Sequence, residues 1–354
     1  MKYSFRILLI IQLVGLSSAA KPQSKYFIGF TDKANSPYTI SNPEQFLSIR
    51  SIERRTRQNL ALTESDLPVN PSYLDTLANM GITIHFPLRW MNGVVATIST
   101  PDQLTQIQNI PFVSGIKEIY TPTKEHKSSK FTIEEPQSQP FSKPDKDAPN
   151  YGISATQVNM LNGHILHGNG FLGEGIEIAV LDAGFYNVDS HPVFDSLWMN
   201  KRILGTKDFV NPTSNIYNEH AHGMMVLSIM GGYANGQLVG TAPHARYWLI
   251  RTEDASSEQL VEEYNWAAGA EIADSAGADI INTSLGYTTF DVPSQSHTYS
   301  NLDGQTTVIT QAANMAASKG MLVVVSAGND GTSPWYYISA PADSPKVLTV
   351  GAVD

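Results

Sequence analysis

An aspartate stands where an apolar run stops: Ile176-Glu177-Ile178-Ala179-Val180-Leu181 leads straight into Asp182, and Ala183-Gly184-Phe185 follows. A carboxylate at the end of a buried strand is costly to desolvate without a partner, so Asp182 needs a cation or a histidine. Glu219-His220-Ala221-His222-Gly223-Met224-Met225-Val226 offers one, with His222 opening an apolar helix. An imidazole held there can take a proton from a nucleophile while the carboxylate fixes its tautomer and stabilises the imidazolium. Asp182 and His222 are therefore a candidate dyad, and His220 is a neighbour that can tune it. Taken singly, each residue also has a plain structural use, the aspartate in a turn and the histidine at a helix start. A third group comes from Ala327-Gly328-Asn329-Asp330-Gly331, where a side-chain amide on a glycine-hinged loop can donate to a developing oxyanion or simply form a turn. A fourth, Thr283-Ser284-Leu285-Gly286, is an extended segment able to pair with a substrate backbone.

These groups need a scaffold that brings strand ends together. From residue 151 onward, nearly continuous apolar runs alternate with helical patterns, as a parallel sheet buried on both faces requires. Strands are expected at 176–181, 247–251, 279–282, 321–326 and 347–350, with helices at 224–230, 257–276 and 307–319. In such a sheet functional groups gather at the carboxyl ends of the strands. Residues 21–120 read as a separate small α+β unit of ferredoxin-like kind, with strands at 26–30, 82–87 and 94–98 and helices at 43–58, 73–80 and 101–110. Arg50, Arg54, Arg55 and Arg57 read as a solvated helix face. Residues 121–150 carry Pro136, Pro140, Pro144 and Pro149 among Lys, Glu, Ser and Gln, an exposed linker open to proteolysis.

The succession A-V-L-D-A-G-F, H-G-M-M-V, T-S-L-G, V-S-A-G-N-D-G and V-L-T-V-G-A-V-D closely resembles the subtilases, the subtilisin-like serine peptidases, over residues 151–354. The resemblance implies a subtilisin-like parallel sheet flanked by helices. It makes Asp182 the orienting acid, His222 the general base and Asn329 the oxyanion donor. Ser284, Leu285, Gly286, Ala327 and Gly328 become walls of the primary specificity pocket. It also implies that residues 21–120 are an inhibitory propeptide that templates folding, useful for a sheet rich in non-local contacts. Two features depart from the family pattern: Met224 stands where a threonine is usual, and residues 231–240 are short for the family's calcium loop. Structural calcium is therefore left open, and no cofactor is expected for catalysis. The family's nucleophile lies in a Gly-Thr-Ser-Met-Ala motif, expected beyond Asp354. Gly331-Thr332-Ser333 imitates that motif but runs into Pro334-Trp335, so Ser333 is read as a loop residue.

Composition bounds the remaining choices. A net charge of −10 argues against nucleic acid as a partner, and the absence of cysteine excludes thiol catalysis and thiolate metal sites. Lys2 and Arg6, the short apolar run after them and the small residues Ser17 to Ala20 form a secretory signal over residues 1–20, and no later run reaches membrane-spanning length. The expected protein is a secreted or cell-surface endopeptidase whose partners are peptide or protein substrates and its own propeptide. Other readings stand beside it. Gly168-Asn169-Gly170-Phe171-Leu172-Gly173 matches a dinucleotide fingerprint but precedes its strand instead of following one. His191, His220, His222 and Asp182 are possible zinc ligands without H-E-x-x-H spacing. A non-catalytic peptide-binding or surface scaffold on the same fold is compatible with the same residues.

Overall fold

The computed structural model describes residues 23–122, 130–131 and 149–353. The expected signal segment and most of the expected 121–150 linker lie outside the described residues. The first unit runs β1 (Lys25–Phe30), α1 (Ile49–Arg57), α2 (Pro71–Asn79), β2 (Thr83–Leu88), β3 (Gly93–Thr97), α3 (Pro101–Gln108) and β4 (Val113–Tyr120). Its antiparallel sheet has the order β2-β3-β1-β4, the split β-α-β arrangement of ferredoxin-like units. Side-chain caps set where the helices begin: Ser48 accepts from the Ser51 N–H, Asn70 from Ser72 and Thr100 from Gln103, with Pro71 and Pro101 in first turns. The Ser48 cap explains why 43–58 is not one helix but a 3₁₀ turn at Pro43–Gln45 followed by α1. The β4 strand went unpredicted because Gly115, Lys117 and Glu118 dilute its apolar pattern at a sheet edge.

The second unit begins with α4 (Ala155–Met160) and α5 (Gly163–Gly168), then β5 (Glu177–Asp182), α6 (Asp195–Met199), β6 (Ile203–Asp208) and α7 (His222–Gly231). A small hairpin, β7 (Tyr233–Ala234) and β8 (Leu238–Val239), precedes β9 (Arg246–Arg251), α8 (Val261–Ala276), β10 (Ile280–Thr283), α9 (Val308–Ser318), β11 (Leu322–Ser326) and β12 (Leu348–Val350). Six strands form a parallel sheet of order β12-β11-β10-β5-β9-β6. The two-residue period of β5 divides its side chains between two cores. Ile178 and Val180 pack with Leu227 of α7, Tyr247 and Leu249; Ala179 and Leu181 pack with α8 and α9. The β6 strand was missed because only its first two residues are apolar. The glycine-rich stretch at 168–173 ends α5 and leads into β5, so it has the wrong setting for a dinucleotide loop.

The two units share one core. In β3, Val94 and Ala96 face the first unit's own helices, whereas Val95 joins Leu88, Trp90 and Ile119 against α8 of the second. Phe27 sits with its ring centroid 5.0 Å from that of Tyr264. With the sheet on one side and the first unit on the other, α8 is buried around nearly its whole circumference. This contact corrects the reading of the arginine run. Arg54 and Arg55 are buried, and with Arg89 they converge on the fully buried Asp274, Arg55 at 2.9 Å and Arg89 at 2.5 Å. Arg50 pairs with Asp279 and Glu177. Only Arg57 keeps the expected exposed position, with a long contact to Asp279. A helix face covered by another unit has the same periodicity as one covered by water, so the sequence pattern could not separate them.

Candidate active site

Parallel register sets out the site. Leu181 of β5 pairs with Thr283 of β10, which pairs with Val325 of β11. The residues that follow, Asp182, Ser284 and Ser326, therefore leave the same edge of the sheet from three adjacent strands, at the carboxyl ends where such sheets carry their sites. Asp182 is fully buried. Its Oδ1 accepts from the Ala183 N–H at 2.7 Å and meets His222 Nδ1 at 2.7 Å. This bond gives the imidazole one tautomer, with the proton on Nδ1 and a free lone pair on Nε2.

His222 is the first residue of α7, and its neighbour Gly223 is what lets the helix approach the aspartate. A Cβ on Gly223 would lie 2.5 Å from the Gly184 carbonyl oxygen and 2.8 Å from the Asp182 Cβ, distances no side chain tolerates. The His220 Nδ1 accepts from the His222 N–H at 3.2 Å, and burial followed by the charge of His222 pushes the His220 ring below its ordinary range. His191 instead accepts from the Val193 N–H at the start of a short turn. Neither histidine joins His222 and Asp182 in a group with metal-ligand spacing among the described residues.

Arg251 at the end of β9 escaped sequence reasoning. Its Nε donates to the Ala183 carbonyl at 3.0 Å, and its Nη1 meets Asp208 at 3.1 Å and Glu219 at 3.2 Å. One buried guanidinium thus ties the loop after Asp182 to the loop before His222. A strand-end arginine carries no sequence signal for this, since its partners lie on three other segments.

The segments 284–286 and 327–329 meet at Ser339-Ala340. A Cβ on Gly286 would lie 2.0 Å from the Ser339 Oγ, and one on Gly328 2.9 Å from it. Tyr287 and Ala340 exchange backbone hydrogen bonds of 2.9 and 3.1 Å. Ser339-Ala340 thus lies against both segments, and Gly286 leaves the room for it. Leu285 turns its side chain into the core, so only its backbone faces outward; Ser284 and Ala327 are half-buried, and Gly328 and Asn329 are exposed. Ser333 lies in the turn after Asn329, its hydroxyl donating to Asp330 Oδ1 at 2.6 Å and accepting from the Trp335 N–H at 3.2 Å.

Two described residues of the linker lie across this edge. The Phe131 ring stacks on the His222 imidazole with centroids 4.1 Å apart and planes 29° from parallel. The Lys130 N–H donates to the Ala255 carbonyl at 3.1 Å. Lys130 itself lines a cavity of about 260 Å³, together with Ala255, Ser257, Glu258, Gly286 and Thr288.

The family model described as "Subtilase family" matches residues 173–354, and "Peptidase S8 propeptide domain, Bacteroidota" matches residues 25–135. The chain belongs to the subtilase family. Its first unit is accordingly a subtilase propeptide, seated on the second. Subtilisin BL of Lederbergia lenta is 31% identical over 205 residues, covering 58% of this chain and 63% of the relative. Subtilisin E of Bacillus subtilis strain 168 is 25% identical over 284 residues, covering 79% and 61%. The alkaline protease of Alkalihalobacillus alcalophilus is 31% identical, with 58% of this chain and 45% of that protein covered. The chain thus spans roughly half to two thirds of the length of these subtilases. Fervidolysin from Fervidobacterium pennivorans, a keratinolytic enzyme related to subtilisin, shares the fold with a TM-score of 0.56 at 17% identity, over 93% of this chain and 43% of that one. The epidermin leader peptide processing protease of Staphylococcus aureus does so with a TM-score of 0.52 at 16% identity, covering 94% and 71%. Among the described residues, no helix is long and apolar enough to cross a membrane.

Proposed function

We propose that the full-length protein is a secreted serine endopeptidase made as a propeptide-inhibited zymogen. The observation that carries this is the hydrogen bond from His222 to the buried Asp182 at the carboxyl edge of a subtilase sheet, with Ser284, Gly286, Gly328 and Asn329 on neighbouring strand ends. The nucleophile in this reading is a serine outside the described residues, because the hydroxyl of Ser333 is engaged in its own turn.

Chemistry then follows from the positions of protons. His222 Nε2 takes the hydroxyl proton as the serine oxygen bonds to the scissile carbonyl carbon, and Asp182 holds the resulting imidazolium through Nδ1. The carbonyl oxygen becomes an oxyanion, for which the exposed Asn329 amide is the donor. His222 passes its proton to the departing amine as the C–N bond breaks, leaving an acyl-enzyme. Water then enters, again deprotonated by His222, and frees the acid. In the zymogen Phe131 covers the imidazole, and cleavage within residues 121–150 uncovers it.

The test is hydrolysis of an unfolded protein substrate by the full-length chain after self-processing. Asp182→Asn should lower kcat by about 10⁴-fold, since the wrong tautomer then faces the nucleophile. Undiminished hydrolysis in Asp182→Asn or His222→Ala would remove this reading.

A further inference from the structure

Three carboxylates from one stretch of chain, Glu253, Glu258 and Glu262, present oxygens within 4.8 Å of one another. Glu253 and Glu262 are buried and Glu258 is partly exposed. Two of the three are fixed by the fold. Glu253 accepts from the Tyr287 hydroxyl, and Glu262, in the first turn of α8, accepts from the Asp254 N–H at 3.1 Å and the Gln259 N–H at 3.3 Å. Glu258 Oε1 is buried without a hydrogen-bond partner among the described residues. Such a cluster is costly unless a cation enters it.

The cation is Lys130. Its ammonium meets Glu253, Glu258 at 2.9 Å and Glu262 at 3.0 Å, so that three carboxylates share one positive charge. It arrives on a backbone hydrogen-bonded to Ala255, immediately ahead of the residue stacked on His222, and Gly286 and Thr288 line the neighbouring cavity. A peptide following that path toward His222 brings the side chain at the place of Lys130 into the same cluster. Burial, above all, drives the Glu258 carboxyl up to about 7 while Lys130 draws it down, and burial likewise raises Glu262 well above the ordinary carboxylate range. Loss of the ammonium would leave three close carboxyl groups to be neutralised by protons or by another cation.

We propose that Glu253, Glu258 and Glu262 form a substrate subsite selecting a lysine or arginine side chain directly ahead of the residue that packs on His222. The inference rests on the peptidase reading and adds its specificity: the occluding segment, with Lys130 in the subsite, displays the preferred sequence.

Binding tests this without turnover. The full-length, self-processed chain carrying Lys130→Gln and Phe131→Ala lacks both the resident ammonium and the ring that covers His222. A fluorescent peptide of residues 126–135 is titrated into it by anisotropy, beside the same peptide with norleucine in place of Lys130. The lysine peptide should bind about 100-fold more tightly or better, because a site built for a charged donor rejects an analogue lacking it. Adding Glu258→Gln, the least buried of the three, should remove most of that difference. Equal affinity for the two peptides overturns the subsite, as does calcium binding at the trio that abolishes the lysine peptide's advantage. A lysine preference in binding with no cleavage of any peptide by the self-processed protein keeps the subsite and sinks the peptidase reading. Cleavage indifferent to lysine does the reverse.

Discussion

The pairing of Asp182 with His222 was legible because the aspartate ends an apolar run and the histidine opens an apolar helix, and the fold placed both at one sheet edge. Gly223 shows why that spelling matters: Gly223→Ala would push a methyl group into the Gly184 carbonyl and the Asp182 side chain. We expect it to fold less stably by about 1–3 kcal/mol, read by urea denaturation, and to lose activity by displacing His222. Asn329 follows the end of β11 and, among the described residues, its side chain makes no cap bond to the turn it opens. Asn329→Ala should therefore lower kcat by about 100- to 1000-fold with little change in KM, the range known for this donor in subtilisin itself. A change confined to KM would assign Asn329 to substrate binding instead. Arg251 and Ser339 were not legible, since their roles depend on distant segments: Ala183, Asp208 and Glu219 for one, Gly286 and Gly328 for the other.

Helices and strands were recovered where periodicity was strong and lost where it was thin, as at β4, β6 and the short α4 to α6. The arginine run on α1 is the instructive case, because the right element was assigned the wrong surroundings. Arg54, Arg55 and Arg89 all depend on Asp274, a single carboxylate inside α8 with no exposure to solvent. Removing one partner of a buried ion cluster leaves the others uncompensated, so Asp274→Ala should destabilise the zymogen by about 3–5 kcal/mol in chemical denaturation. An effect below about 1 kcal/mol would show that this contact does not hold the propeptide in place. The occluding linker makes a separate prediction. Phe131→Ala uncovers the His222 ring, so carbethoxylation of His222 in the zymogen should quicken several-fold; an unchanged rate would mean the stacking does not shield it.

At the scale of the whole molecule, buried carboxyls set the response to pH. Burial raises Glu258 and Glu271 to about 7 against the pull of Lys130 and Arg89 respectively. Both hold a proton in the folded chain at pH values where the unfolded chain has lost it. The stability they confer is thus complete below the ordinary carboxylate range and lost as pH rises through about 7. His85, pushed down to about 4 by burial and Lys25, acts in the opposite sense between its ordinary range and that value. Burial would raise Asp66, but Lys319, the Thr63 N–H and Arg55 hold it low, so its contribution fails only in stronger acid. Two glutamates outweigh one histidine, and the zymogen should melt at a higher temperature near about pH 5 than near about pH 8. The reverse order would show that other groups govern its stability. Activation of a serine by Asp182 and His222 is tested by labelling the full-length, self-processed chain with a fluorophosphonate probe beside a His222→Ala control. One serine outside residues 149–353 should be labelled, and the label should disappear in the control; no labelling after propeptide removal, or labelling that persists without His222, would contradict a serine activated by this pair.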